Sequence, residues 1–161
     1  MKQITLTVAN LQETEKFGRD LGRYLLPNTI IGLNGPLGAG KTHLVKAIAE
    51  GLNIPNSASV TSPTFGLIHE YPSRLMIYHF DVYRLPNEEA FVDLGAYEYY
   101  EMGGVCLIEW ADRVKNHLPE DRIEIHITPV DEQQRSIQVV ASGTISETIL
   151  ERFAEKLNGS D

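Results

Sequence analysis

Gly35-Pro36-Leu37-Gly38-Ala39-Gly40-Lys41-Thr42 carries the spacing G-x-x-x-x-G-K-[ST], a pattern whose residue types suit one task. Gly35, Gly38 and Gly40 let the backbone bend until successive N–H groups point inward at phosphate oxygens. A helix starting near Lys41 adds its positive dipole end and unpaired N–H groups. The Lys41 ammonium reaches the β- and γ-phosphates as a point charge, and the Thr42 hydroxyl supplies a hard oxygen for Mg²⁺. His43 follows at once and lies either close to phosphate or on the exposed helix face. Gly35 to His43, with Pro36, Leu37 and Ala39 among them, are the candidate residues for binding a nucleotide with Mg²⁺.

Such a loop needs a second carboxylate at the end of a neighbouring apolar strand, to hold the metal or its waters. Two acids qualify: Glu109 after Val105 to Ile108, and Asp81 after Leu75 to Phe80. Glu109 is assigned with Thr42 to the metal side and Asp81 to orienting the attacking water or a metal-bound water. The two roles could be exchanged. Lys41, Asp81 and Glu109 form the candidate catalytic set. The hydroxyl-rich run holding Thr61, Ser62 and Thr64 follows the helix after the glycine loop, where nucleotide switches sense the γ-phosphate.

The five histidines form no H-x-x-x-H pair and keep no company with cysteine, which argues against zinc. His79 stands two residues from Asp81 and so on the same face of its strand. Trp110, beside Glu109, is a natural reporter of ligand binding. Arg84 and Arg113 are the arginines placed to act as an internal finger, with ion pairing the favoured role for each.

The elements that position these residues follow from periodicity. Thr29 to Leu33 is short and β-branched, as a buried parallel strand requires, and Leu44, Val45, Ile48 and Leu52 recur at helical spacing. Before them, Ile4, Leu6 and Val8 alternate as a strand. Asn10 with Glu13 then reads as a capping box for a helix bearing Leu11, Phe17, Leu21, Tyr24 and Leu25, ended by Pro27. Gly66 to Tyr71 and Leu75 to Phe80 are strands too close together for a crossover helix, hence antiparallel. Glu88 to Met102 is a helical pattern broken near Gly95, and Ala111 to Leu118 a short helix stopped by Pro119. Arg122 to Thr128 and Ser136 to Ala141 alternate as a hairpin. Thr144 with Glu147 caps a last helix that Gly159 ends. The fold expected is α/β, a P-loop NTPase-like three-layer sandwich whose mixed sheet has a parallel centre and antiparallel edge strands, in a single domain over residues 1–161.

At 161 residues, the chain is long enough for a sound core. Its 14 basic and 22 acidic residues give a net charge of −8, which opposes autonomous binding to DNA or other nucleic acid and to an anionic membrane. The single cysteine, Cys106, sits in an apolar run and reads as a buried structural thiol. No internal disulfide can form, the N-terminus lacks a signal-peptide core, and no apolar run approaches a membrane span. These features describe a soluble, cytoplasmic protein.

Four blocks together resemble the bacterial TsaE family, also called YjeE. They are the glycine loop, Thr61-Ser62-Pro63-Thr64-Phe65, His79-Phe80-Asp81-Val82-Tyr83-Arg84-Leu85, and Leu107-Ile108-Glu109-Trp110-Ala111-Asp112-Arg113. They stand in the family's order and cover essentially the whole domain. The resemblance implies an ATPase needed for threonylcarbamoyladenosine modification of tRNA beside the anticodon, acting with the TsaB and TsaD proteins and meeting tRNA indirectly. It implies that Thr42 and Glu109 belong to the metal site, that Asp81 is the acid of the central motif, and that the Thr61 to Phe65 loop is switch-like. It also places Asn10-Leu11 near adenine. Slow hydrolysis stimulated by partners is the expectation. A small-molecule kinase fits less well, because Tyr83 to Gly104 holds only Arg84 where a lid carries several arginines. A GTPase lacks its Asn-Lys-x-Asp motif here, and a non-hydrolysing assembly switch leaves the two acids without work.

Overall fold

In the computed structural model, residues 1–61 and 68–159 are described. The elements run β1 (Lys2–Val8), α1 (Leu11–Gly22), β2 (Thr29–Asn34), α2 (Lys41–Gly51), β3 (Ile68–Tyr71), β4 (Ile77–Asp81), α3 (Glu88–Asp93), α4 (Ala96–Tyr99), β5 (Val105–Glu109), β6 (Arg122–Pro129), β7 (Arg135–Ser142) and α5 (Thr144–Asn158). Short 3-10 turns cover Ser57–Ser59 and Ala111–His117. The strands join in one sheet, seven-stranded among the described residues, in the order β1-β7-β6-β2-β5-β4-β3. β2 is parallel to both β5 and β6, and β4 is parallel to β5. The remaining pairings, β1 with β7, β6 with β7 and β3 with β4, are antiparallel. This is the mixed α/β sheet expected, with a parallel centre and antiparallel edges.

Alternation along the central strands builds the layers on either side. From β5, Val105 and Leu107 join Leu44 and Ile48 of α2, Phe17 and Leu21 of α1 and Phe153 of α5 in one core. The intervening Cys106 and Ile108 face Phe80 of β4, Phe91 of α3, Ala96 of α4 and Val114 in the other. Covered on both faces, β2 and β5 are buried at every residue. The antiparallel half differs: Ile123, Ile125, Ile127, Ile137 and Val139 are buried, while Glu124, His126, Gln138 and Val140 between them are only half-buried. One covered face is what such strands require.

Three helix ends depart from local expectation. Asn10 Oδ1 accepts from Glu13 N at 3.0 Å, but Glu13 returns its carboxylate to Ala9 N (3.0 Å) rather than to Asn10. α1 stops at Gly22, short of Pro27, because the chain tightens there to bonds over three residues, Tyr24 N to Leu21 O (3.0 Å) and Leu25 N to Gly22 O (3.4 Å). Close approach of α2 accompanies this ending: a Cβ on Gly22 would lie 2.4 Å from Ile48 O, and one on Gly51 2.3 Å from Arg19 O. Thr144 is the first residue of α5 rather than its cap. The cap comes from Asp121, whose carboxylate accepts from Ile145 N (2.9 Å) and Ser146 N (3.0 Å), while Glu147 closes on Gly143 N (3.1 Å).

The expected break at Gly95 is present, with φ of 88° between α3 and α4. The stretch after Trp110 winds as 3-10 turns rather than an α-helix, kinked at Val114. No helix among the described residues is long and apolar enough to cross a membrane.

Candidate functional site

The parallel strands β2, β4 and β5 end side by side, and Asp81, Glu109 and the glycine loop with Lys41 and Thr42 lie at those ends. β2 runs buried into Asn34, the glycine loop follows, and α2 begins at Lys41. Gly35 (φ 153°) turns so close to β6 that a Cβ would meet Ile127 O at 2.4 Å. Gly40 (φ 106°) caps α2 in the left-handed region, with no side-chain cap hydrogen bond among the described residues.

Lys41 is 5% exposed, and its ammonium donates to Gly35 O at 2.6 Å and to Pro36 O at 2.9 Å. Burial lowers its pKa from the ordinary value, against the opposing pull of Glu109, Asp81 and Asp112. Beside it, Thr42 Oγ1 lies 3.0 Å from Glu109 Oε1 and 3.3 Å from Oε2. Glu109 is the buried last residue of β5 and meets a second neighbour, His79 Nε2, at 2.6 Å. Asp81, the last residue of β4, stands opposite Glu109 in the parallel register and accepts from Tyr83 N at 3.0 Å. Burial raises its pKa first and the Glu109 charge adds to this, while the Tyr83 N–H bond, His79 and Arg84 oppose it.

Thr42 and Glu109 present a hydroxyl and a carboxylate, the hard oxygens that Mg²⁺ prefers. No group of three or more His, Cys, Asp or Glu side chains gathers as a metal site among the described residues. An ion held here would take its other ligands from phosphate oxygens and waters, as Mg²⁺ does beside nucleotides.

Two clefts meet at the glycine loop. One, of about 400 Å³, is lined by Lys41, Thr42, Asp81, Arg84, Glu109 and Trp110. The other, of about 370 Å³, lies between Asn10, Leu11 and Gln12 at the start of α1 and Glu132, Gln133 and Arg135 of the β6–β7 hairpin. Gly38, Gly40 and the exposed His43 border both, which joins Leu11 to the glycine-loop side of the site.

Trp110 adopts φ 62°, in the left-handed region that a bulky residue rarely enters, and its N–H donates to Leu33 O at 2.8 Å. Its indole stacks on Tyr83 with ring centres 4.8 Å apart. Arg113, expected to ion-pair, does not do so among the described residues: its guanidinium donates to Tyr83 O and lies 5.9 Å from the Tyr83 ring. Arg84 is likewise without an ion pair among the described residues and borders the cleft beside Asp81. Thr61 is exposed, its N–H 3.4 Å from Tyr71 Oη. Ser62 and Thr64 lie outside the described residues.

A model of the family described as "Threonylcarbamoyl adenosine biosynthesis protein TsaE" matches residues 8–137. The chain belongs to the TsaE family. It is 38% identical over 162 residues to the tRNA threonylcarbamoyladenosine biosynthesis protein TsaE of Bacillus subtilis (strain 168), covering 100% of both chains. The protein of that name from Treponema pallidum (strain Nichols) is 44% identical over 128 residues, 80% of this chain and 93% of the relative. The crystal structure of Bacillus subtilis YdiB superimposes with a TM-score of 0.81 at 34% identity, covering 96% of each chain. The TsaE family is involved in tRNA threonylcarbamoyladenosine biosynthesis.

Two contacts of this TsaE-family site escape motif reading. Arg135 donates from Nε to Ala39 O at 3.2 Å and from Nη1 to Asp131 O at 3.1 Å, tying the hairpin to the glycine loop. The other is the His79–Glu109 bond, of which the shared face with Asp81 was only an indirect sign.

Proposed function

We propose that this chain is a single nucleotide-binding domain that hydrolyses ATP with Mg²⁺ in the threonylcarbamoyladenosine modification of tRNA. The observation that supports it best is the 3.0 Å approach of Thr42 Oγ1 to Glu109 Oε1 beside the Lys41 ammonium. A hydroxyl, a carboxylate and a cation converge where a helix start and a glycine loop already favour phosphate. Held by Thr42 and Glu109, Mg²⁺ would neutralise charge that develops on the phosphate oxygens.

The chain's own residues do the rest. Lys41 leaves the Gly35 and Pro36 carbonyls to engage the β- and γ-phosphates. Glu109 and Thr42 hold the metal side. Asp81, opposite Glu109 and partly buried, orients the attacking water or a metal-bound water. The cleft beside Leu11 takes the base. Thr61, Ser62 and Thr64 read the γ-phosphate.

Arg84 and Arg113 are exposed, and neither reaches into the phosphate loop through a contact of its own, which fits slow hydrolysis awaiting a partner. TsaB and TsaD are those partners in the reading that the resemblance suggests, in the cytoplasm and with tRNA met through the complex. The test is Mg²⁺-dependent ATP hydrolysis by the purified chain, alone and with TsaB and TsaD. Stimulation by the pair supports the reading. Equal turnover with and without them refutes the partner dependence, and binding without turnover under either condition refutes the ATPase.

A further inference from the structure

His79 faces into the sheet from β4, and its side chain is 0% exposed, against 3% for Glu109. Nε2 meets Glu109 Oε2 at 2.6 Å, while Nδ1 has no hydrogen-bond partner among the described residues. The neighbouring His69 ring stands edge-on with its centre 6.4 Å away, and its own Nδ1 is engaged by Tyr71 Oη at 2.9 Å. A buried N–H without an acceptor is more costly than a buried lone pair without a donor. The proton therefore belongs on Nε2, donating to Oε2, and Nδ1 keeps only its lone pair.

We propose that His79 is a positioning residue for Glu109, acting through the carboxylate and never touching the nucleotide. The Nε2–H bond fixes the rotation of the carboxylate group, a broad torsion when unrestrained, and so holds Oε1 toward Thr42 Oγ1. A phenylalanine would fill the same buried volume on a central strand, so packing alone gives no reason for an imidazole there. The inference rests on the reading of Glu109 as the metal-side carboxylate.

Nitrogen-15 NMR of histidine-labelled wild-type protein reads the tautomer directly, without any change to the fold. Hydrogen on Nε2, with a resonance that moves in Glu109→Gln, is expected; hydrogen on Nδ1 overturns the inference. Variants then separate positioning from packing. Half-saturating Mg²⁺ is measured in ATP hydrolysis, and metal-free nucleotide affinity by Trp110 fluorescence.

In His79→Phe the Mg²⁺ requirement is expected to rise about 10- to 100-fold, with metal-free affinity within about twofold of wild type. His79→Gln, whose amide nitrogen reaches the Nε2 position, recovers to within about threefold, and the shorter His79→Asn does not. An unchanged Mg²⁺ curve in His79→Phe, or a glutamine variant no better than asparagine, overturns the proposal. If Glu109→Gln leaves the curve unmoved, the metal-side reading falls and takes this inference with it. A shift in Glu109→Gln beside an unchanged His79→Phe curve sinks this inference alone.

Discussion

Lys41 Nζ lies 3.9 Å from the centre of the Trp110 indole ring while donating to the Gly35 carbonyl oxygen 2.6 Å away. The cation of the glycine loop is thus held by that loop's own backbone and by an aromatic face. Trp110 can cover it because its backbone turns through the left-handed region, pinned by the bond to Leu33 O. Trp110, the only tryptophan in the chain, thus lies against the Lys41 ammonium.

Lys41→Ala is expected to abolish tight nucleotide binding, read by Trp110 fluorescence and confirmed by calorimetry. In the wild type, burial holds the ammonium's pKa below the ordinary 10.5, so the charged form is lost as pH rises through that lowered value. Nucleotide affinity should accordingly weaken before pH 10.5 is reached. Affinity flat to that pH would separate Lys41 from the phosphates.

Glu109→Ala is expected to keep nucleotide but to lose Mg²⁺-dependent hydrolysis by about 10²-fold or more, from the electrostatic contribution such groups make to phosphoryl transfer. Single-turnover hydrolysis at saturating ATP checks it. Wild-type turnover would refute the assignment and transfer the metal-side role to Asp81.

Gly22→Ala tests the contact on which α2 is carried. In an exposed helix the change gains stability, since alanine has the higher propensity. Here the new Cβ meets Ile48 O at 2.4 Å, and backbone cannot step aside cheaply. A loss of about 1–3 kcal/mol is expected, on the order of 2–10 °C in melting temperature. Unchanged or raised stability in thermal unfolding would show that the two helices separate easily.

Cys106, buried with Sγ 3.6 Å from Tyr99 O, has its thiol pKa pushed up to about 12 from 9.0 by burial. The native protein should resist thiol reagents at neutral pH and react only on unfolding. Because the folded pKa lies above the unfolded one, the neutral thiol's contribution is complete below pH 9.0 and is lost as pH rises toward about 12. Tyr100, also raised by burial, adds in the same direction. Urea midpoints should fall across that window, less steeply in Cys106→Ala; parallel curves would exclude a thiol contribution.

Much of the site was written in short stretches of sequence. The glycine loop declares its place by spacing, and the apolar runs ending in Asp81 and Glu109 declare themselves as strands whose last residue is an acid. Both readings are local, because a strand's period and a loop's torsional needs are properties of adjacent residues. Helix ends were less legible. Gly22 ends α1 where Pro27 was expected, and Asp121, more than twenty residues upstream of the atoms it caps, does the work assigned to Thr144.

By itself, then, the sequence determined the glycine loop, the buried central strands, the antiparallel hairpin and the acids that end two of those strands. Only the tertiary structure decided that β2 lies between β6 and β5, which brings Thr42 to Glu109 across 67 residues and lays Arg135 on Ala39 across 96. It also decided that His79, 30 residues from Glu109, bonds to it in the core. The reason is physical: periodicity says which face of a strand is buried, whereas strand order and register say which buried groups meet, and these follow from packing the whole sheet.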